Sequence, residues 1–170
     1  MKRIIILFLL IVQSTIAQNS LFNQVEAKNI GPTIMSGRVV DLAVNPKNPT
    51  EFYVAYATGG LWYTNNNGTS FTPVMDSAET VNCGSVTVDW NSGTIWVGTG
   101  EVNASRSSYA GVGVLKSSDK GKTWENLGLK DSHHISRIWV NPSNLNEIVV
   151  ASVGHLYTAN KERGIYKSND

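Results

Sequence analysis

Ser117-Ser118-Asp119-Lys120-Gly121-Lys122-Thr123-Trp124 fits the pattern Ser-x-Asp-x-Gly-x-Thr-Trp at each defined position. A looser copy, Thr64-Asn65-Asn66-Asn67-Gly68-Thr69-Ser70-Phe71, precedes it, and a third begins at Ser168 and reaches Asp170. The copies stand about fifty residues apart, the period of a repeated supersecondary unit. The residue types suit a tight turn between strands. The Asp119 carboxylate, or the Asn66 amide oxygen, accepts backbone N–H groups of its own turn. Gly121 and Gly68 take the positive φ that other residues resist. Trp124 and Phe71 then carry a large apolar anchor into the next strand.

The match widens when the units are aligned on this turn. Each turn follows a glycine and two apolar residues: Gly60-Leu61-Trp62, Gly113-Val114-Leu115 and Gly164-Ile165-Tyr166. Before these stand Phe52–Ala55, Ile95–Gly98 and Ile148–Ala151, rich in β-branched and aromatic residues. Earlier still come alternating segments, Val40-x-Leu42-x-Val44, Val86-x-Val88 and Ile138-x-Val140. Period-2 alternation bounded by Asn, Pro and Gly predicts strands, and no stretch has capped helical periodicity. Each unit is thus a four-stranded antiparallel meander, with strands A to D. In the first unit these are Val40–Val44, Phe52–Ala57, Leu61–Thr64 and Phe71–Val74. The repeat turn joins C to D.

Four-stranded units repeated radially make a β-propeller. The expected fold is all-β, a partial β-propeller of about three blades at residues 36–76, 84–127 and 135–170, the last without its D strand. Three blades do not close a ring, so the remainder of the same propeller is expected beyond Asp170. A sandwich of the same strands would not explain the period.

The chain has 170 residues, 14 basic and 13 acidic. Lys2 and Arg3, the apolar run Ile4–Val12 and the small residues around Thr15-Ile16-Ala17 read as a signal peptide over 1–17, followed by a lead at 18–35. The run is too short to span a bilayer. A secreted, periplasmic or cell-surface protein is expected, with no membrane insertion after cleavage. Near-neutral charge gives no footprint for nucleic acid. The single cysteine, Cys83, excludes an internal disulfide and reads as a small buried hydrophobe.

The turn and its spacing resemble the bacterial neuraminidase repeat, or Asp box, of sialidases, xyloglucanase-type glycoside hydrolases and sortilin-type propellers. Gly37–Pro46, Gly59–Thr64, Trp96–Glu101 and Arg163–Ser168 together resemble secreted bacterial proteins with a sortilin-like N-terminal propeller, often labelled putative glycosyl hydrolases. The resemblance covers about residues 29–170. It implies a structural role for Ser117, Asp119, Gly121, Thr123 and Trp124, because Asp boxes occur in enzymes and non-enzymes alike.

Strand parity puts the B–C and D–A loops on one face and the Asp boxes on the other. The B–C loops are uneven: Ala55 to Gly60 is short, whereas Gly98 to Gly113 and Ala151 to Gly164 are long. Long loops on a rigid scaffold concentrate function. They and the D–A loops contribute the candidate ligand-binding residues Arg38, Asn103, Arg106, Tyr109, His133, His134, His155 and Arg163. Arg38, Asn82 and His134 share one register position, where the innermost strand of each blade begins. Glu101 and Asp131 are the available catalytic carboxylates. Duller roles exist: Arg38 pairing with a neighbouring blade's carboxylate, Glu101 capping its loop or binding Arg106. No cofactor and no metal are expected. His133 and His134 are adjacent and point opposite ways, and no complete ligand spacing includes His155.

Three readings follow. The first is a propeller that binds a peptide, protein or carbohydrate ligand. The second is a glycoside hydrolase, which needs carboxylates about 5–5.5 Å or roughly 6.5–9.5 Å apart. The Arg-Ile-Pro lead of sialidases is absent, since Val39 and Val40 follow Arg38, and no Tyr–Glu nucleophile pair stands out. The third is a spacer or assembly platform.

Overall fold

The computed structural model describes residues 37–103 and 108–168. Among them every regular element is a strand. The first sheet holds β1 (Val39–Val44), β2 (Phe52–Tyr56), β3 (Gly60–Thr64) and β4 (Thr72–Pro73). The second holds β5 (Cys83–Asp89), β6 (Thr94–Thr99), β7 (Val114–Ser117) and β8 (Glu125–Gly128). The third holds β9 (Ile135–Asn141), β10 (Asn144–Ser152) and β11 (Gly164–Ser168). Each is an antiparallel meander in chain order.

The expected strands are present; three are longer than alternation implied, while β4 is shorter than the expected Phe71–Val74, and Phe71 and Trp124 stand just before β4 and β8 and not within them. β5 reaches back to Cys83 and β9 to Ile135. β10 begins at Asn144, where hydrogen bonding replaces hydrophobic pattern as the organising force. The Asn141 amide donates to Glu147 Oε2 at 2.6 Å, and Ser143 N donates to Asn141 Oδ1 at 2.9 Å. This polar turn aligns Asn144 with Asn141 without a buried side chain.

The core explains the order of the sheets. Every residue of β6 is buried, and its side chains alternate between two clusters. Ile95 and Val97 join Tyr53, Leu61, Met75, Val86 and Leu115 between the first and second sheets. Trp96 joins Val114, Ile135, Ile138, Ile148 and Val150 between the second and third. The middle sheet is therefore apolar on both faces, whereas β1 and β9 leave Leu42, Val44 and Trp139 exposed on the alternate face. Cys83 lies in the first cluster, fully buried and unbridged, its thiol pushed up to about 12 by burial.

The innermost strands touch in sequence, β1 against β5 and β5 against β9. Asp41 Oδ2 accepts from Val86 N at 3.0 Å, and the Thr87 hydroxyl donates to the Ile138 carbonyl at 2.6 Å. Arg137 of β9 also reaches Asp41, Nη1 to Oδ2 at 3.4 Å.

The Ser117–Trp124 turn is held by the contacts its residue types predict. The Ser117 hydroxyl donates to Asp119 Oδ1 at 2.8 Å and accepts Gly121 N at 2.8 Å. Asp119 Oδ1 also accepts Thr123 N at 2.9 Å, and Oδ2 accepts the Thr123 hydroxyl at 2.7 Å. Trp124 Nε1 donates across to the Val74 carbonyl of the first sheet at 2.9 Å. Gly121 has φ +89, and a Cβ there would stand 2.6 Å from Val74 Cβ. In the first sheet Asn66 takes the Asp119 position, its Oδ1 accepting Ser70 N at 3.0 Å.

These donors, led by the Thr123 hydroxyl, lower the Asp119 carboxyl from 3.8 to about 2. A depressed folded value means that folding favours the anion. Its stabilisation is complete above the unfolded value of 3.8 and is lost as pH falls through about 2. Asp119→Asn keeps the acceptor and removes the charge, as Asn66 does. Urea unfolding at neutral pH and near pH 2 should show a smaller acid-induced loss of stability for this variant. An unchanged acid dependence would mean that the anion contributes nothing.

Candidate functional site

The connections β6–β7, β8–β9 and β10–β11 meet on one face, as strand parity requires, and backbone bonds knit them. Gly111 N donates to the His133 carbonyl at 2.7 Å, Gly100 N to the Asn82 carbonyl at 2.9 Å and Val153 N to the His134 carbonyl at 2.9 Å. Asn82 Nδ2 adds a bond to the Ala110 carbonyl at 3.0 Å. The candidate residues fall into two groups.

The first group is buried. Glu101 has no exposed surface, and Arg38, half exposed, clamps it from the first sheet. Arg38 Nε donates to Oε1 at 2.7 Å, and Nη2 donates to Oε2. The bidentate fork raises the guanidinium above its ordinary value, the hydrogen bond to Glu101 being the main cause. The duller role open to Arg38, pairing with a neighbouring sheet's carboxylate, is therefore what the structure contains. His134 completes the group, 4% exposed and hydrogen-bonded to the Glu101 backbone. Burial is the main cause holding its imidazole below the ordinary histidine value, and Nδ1 has no partner among the described residues. The shared register of Arg38, Asn82 and His134 thus becomes a structural junction of three sheets around residues 100–101.

The second group is more open. Asp131, His133 and His155 present ligating atoms all within 4.8 Å of one another. The two imidazoles stack, with ring centres 3.6 Å apart and planes at 22°. His155 Nε2 lies 3.3 Å and His133 Nε2 3.9 Å from Asp131 Oδ1. His133 has φ +59, an uncommon conformation for a residue with a Cβ. That backbone turn sends its ring away from His134, 6.1 Å distant at 80°, and onto His155. Arg163 Nη2 donates to the His155 carbonyl at 2.5 Å.

No hydrogen bond or ion pair joins Glu101 to Asp131 among the described residues. Tyr109 is exposed and Asn103 lies on the same loop, its carbonyl accepting the Ser108 hydroxyl at 2.9 Å. Arg106 lies outside the described residues. Sequence reasoning left out Thr158 and Asn160 as site residues, although both brace the second group. Their only signal was position, in a long loop beside a histidine. A cleft of about 300 Å³ between β7–β8 and β10–β11, lined by Val114, Leu129, Ile148 and Tyr166, contains none of the candidate residues.

No family model and no curated protein matches the chain. Solved structures do. An ancestral GH74 enzyme aligns over 75% of this chain and 15% of its own, at 23% identity and a TM-score of 0.56. The GH74 enzyme of Niastella koreensis aligns over 65% and 16%, at 24% identity and 0.50. YCF48 from Cyanidioschyzon merolae aligns over 81% and 36%, at 17% identity and 0.50. The chain therefore spans well under half the length of the structures it resembles. At such identities the likeness speaks to fold alone, and it agrees with the three packed meanders: the chain has the all-β architecture of a β-propeller, and its sheets are blades.

Proposed function

We propose that this propeller is a binding module, recognising a peptide, protein or carbohydrate ligand with the loops after β6 and β10 and those leading into β5 and β9. The observation that carries the reading is the Arg38–Glu101 clamp. A glycosidase needs one carboxyl to protonate the leaving oxygen and another to act opposite it. Glu101 is buried, with both oxygens turned to a guanidinium, and has no free edge to offer a substrate. Asp131 is engaged by Asn160 and His155. What faces solvent is the equipment of recognition: Tyr109 at 56% exposure, Tyr157 at 81%, and polar loop backbone. Rigid aromatic rings with polar tips are common anchors of binding surfaces. The sortilin-like resemblance supports the same reading. The basic start, apolar run and small residues of 1–17 support export to the periplasm, the cell surface or the medium.

The test pairs binding with turnover, using a xyloglucan oligosaccharide and a peptide library as probes. Binding to one of them is expected, weakened about tenfold by Tyr109→Ala, a loss near 1.4 kcal/mol. No reducing ends should be released. Release that Glu101→Gln abolishes, with circular dichroism unchanged, would overturn the reading in favour of a hydrolase.

A further inference from the structure

We infer that Asp131, His133 and His155 form a binding site for a divalent transition-metal ion of the zinc class. The inference stands apart from the binding reading above, and the two fail separately. The donor set is two imidazoles and one carboxylate, which suits zinc, copper, nickel or iron better than magnesium or calcium. Three protein ligands with room for water or a further donor is the arrangement of open zinc sites.

The spacing is close to what ligation needs. Donor atoms around a tetrahedral zinc stand about 3.3 Å apart, from bond lengths near 2.0–2.1 Å. Asp131 Oδ1 is 3.3 Å from His155 Nε2 and 3.9 Å from His133 Nε2. Ligation requires the ring planes, now 22° apart, to splay so that the two nitrogens converge. Rotations about the side-chain bonds of two partly exposed histidines supply that movement.

The surrounding shell points the same way. Metal-bound imidazoles commonly bond their other nitrogen to an oxygen, which fixes the tautomer, and metal-bound carboxylates are themselves hydrogen-bonded. The Thr158 hydroxyl is 2.8 Å from His155 Nδ1, the nitrogen facing away from Asp131. Asn160 Nδ2 donates to Asp131 Oδ2 at 3.0 Å and to the Asp131 carbonyl at 2.7 Å. Oδ2 is thereby held, and Oδ1 is left facing both histidines. The uncommon backbone of His133, with φ +59, is what brings its ring into the set. The same backbone turn presents the His133 carbonyl to Gly111 N at 2.7 Å, so one conformation serves both the seam between the connections and the placement of the ring.

Isothermal titration of zinc chloride into the purified full chain tests this. One zinc per chain is expected, with no competition from magnesium or calcium. Cobalt in its place should give the visible absorption bands of a low-coordinate site. His155→Gln and His133→Asn should each weaken zinc binding more than 100-fold, asparagine being chosen because it tolerates positive φ. Thr158→Val, which leaves all three ligands in place, should weaken it roughly 10–100-fold. An imidazole NMR titration of the unmodified chain needs no variant to fold. The chain has three histidines; those of His133 and His155 should move with zinc, and the buried His134 should move least. Absence of saturable zinc binding would overturn the site, as would binding that survives unchanged in both histidine variants.

Discussion

Replacing Trp96 by alanine is expected to cost about 4 kcal/mol and to lower Tm by roughly 8–16 °C. The indole is 1% exposed and sits on β6, the one strand among the described residues that is buried along its whole length. It fills the space between the second and third blades, against Ile138, Ile148 and Val150. Its neighbours belong to two different sheets, so collapse into the vacated volume is incomplete and a cavity term adds to the lost transfer energy. Trp96→Phe separates packing from polarity. Nε1 has no hydrogen-bond partner among the described residues, and an unsatisfied buried N–H costs about 1–3 kcal/mol. Phenylalanine removes that burden while keeping most of the apolar contact, and its cost should be under half of alanine's. Urea denaturation of both variants measures the difference. A loss below about 1 kcal/mol for Trp96→Ala would mean that the blades do not pack through this residue.

Gly100→Ala should be at least as damaging, about 4 kcal/mol or more. Its φ is +83, and an added Cβ would stand 1.8 Å from the His133 carbonyl oxygen and 2.7 Å from Gly111 N. Both obstacles are backbone, and they bond to each other at 2.7 Å. The substitution must therefore break the seam between the β6–β7 and β8–β9 connections. Gly128 is the control. It has φ +117 with nothing within 4 Å of the added carbon. Gly128→Ala carries the backbone penalty alone, about 1–3 kcal/mol. Hydrogen exchange at Gly111 should accelerate sharply in Gly100→Ala and little in Gly128→Ala. Equal effects in both would show that the seam yields without cost.

The scaffold was legible because it is written in local chemistry. The Ser117–Trp124 turn needs its residues at fixed offsets, and the alternation of Ile95, Trp96 and Val97 needs only the strand period. The polar start of β10 was not legible, since Asn144 and Asn146 carry no hydrophobic pattern. The candidate site was legible in part. Strand parity put the long connections on one face, and register brought Arg38 and His134 to one junction. Register does not say which carboxylate Arg38 meets; that depends on how far adjacent blades rotate. The two adjacent histidine rings do diverge, 6.1 Å apart at 80°, but not because the chain is extended there, since His133 has φ +59. A positive φ at His133 turns the ring toward His155, a neighbour only in space.

Asp41 has a bearing on how the array holds together. In chains whose repeats touch only their neighbours, stability behaves as a one-dimensional lattice of unit and interface energies. One oxygen of Asp41 serves Val86 in the second unit and Arg137 in the third, so the first unit speaks past its neighbour. Arg137 is largely exposed, which makes that long-reach contribution weak and open to screening by salt. The lattice therefore carries a next-nearest-neighbour coupling, and the energy of the middle unit is not separable from that of its two flanks.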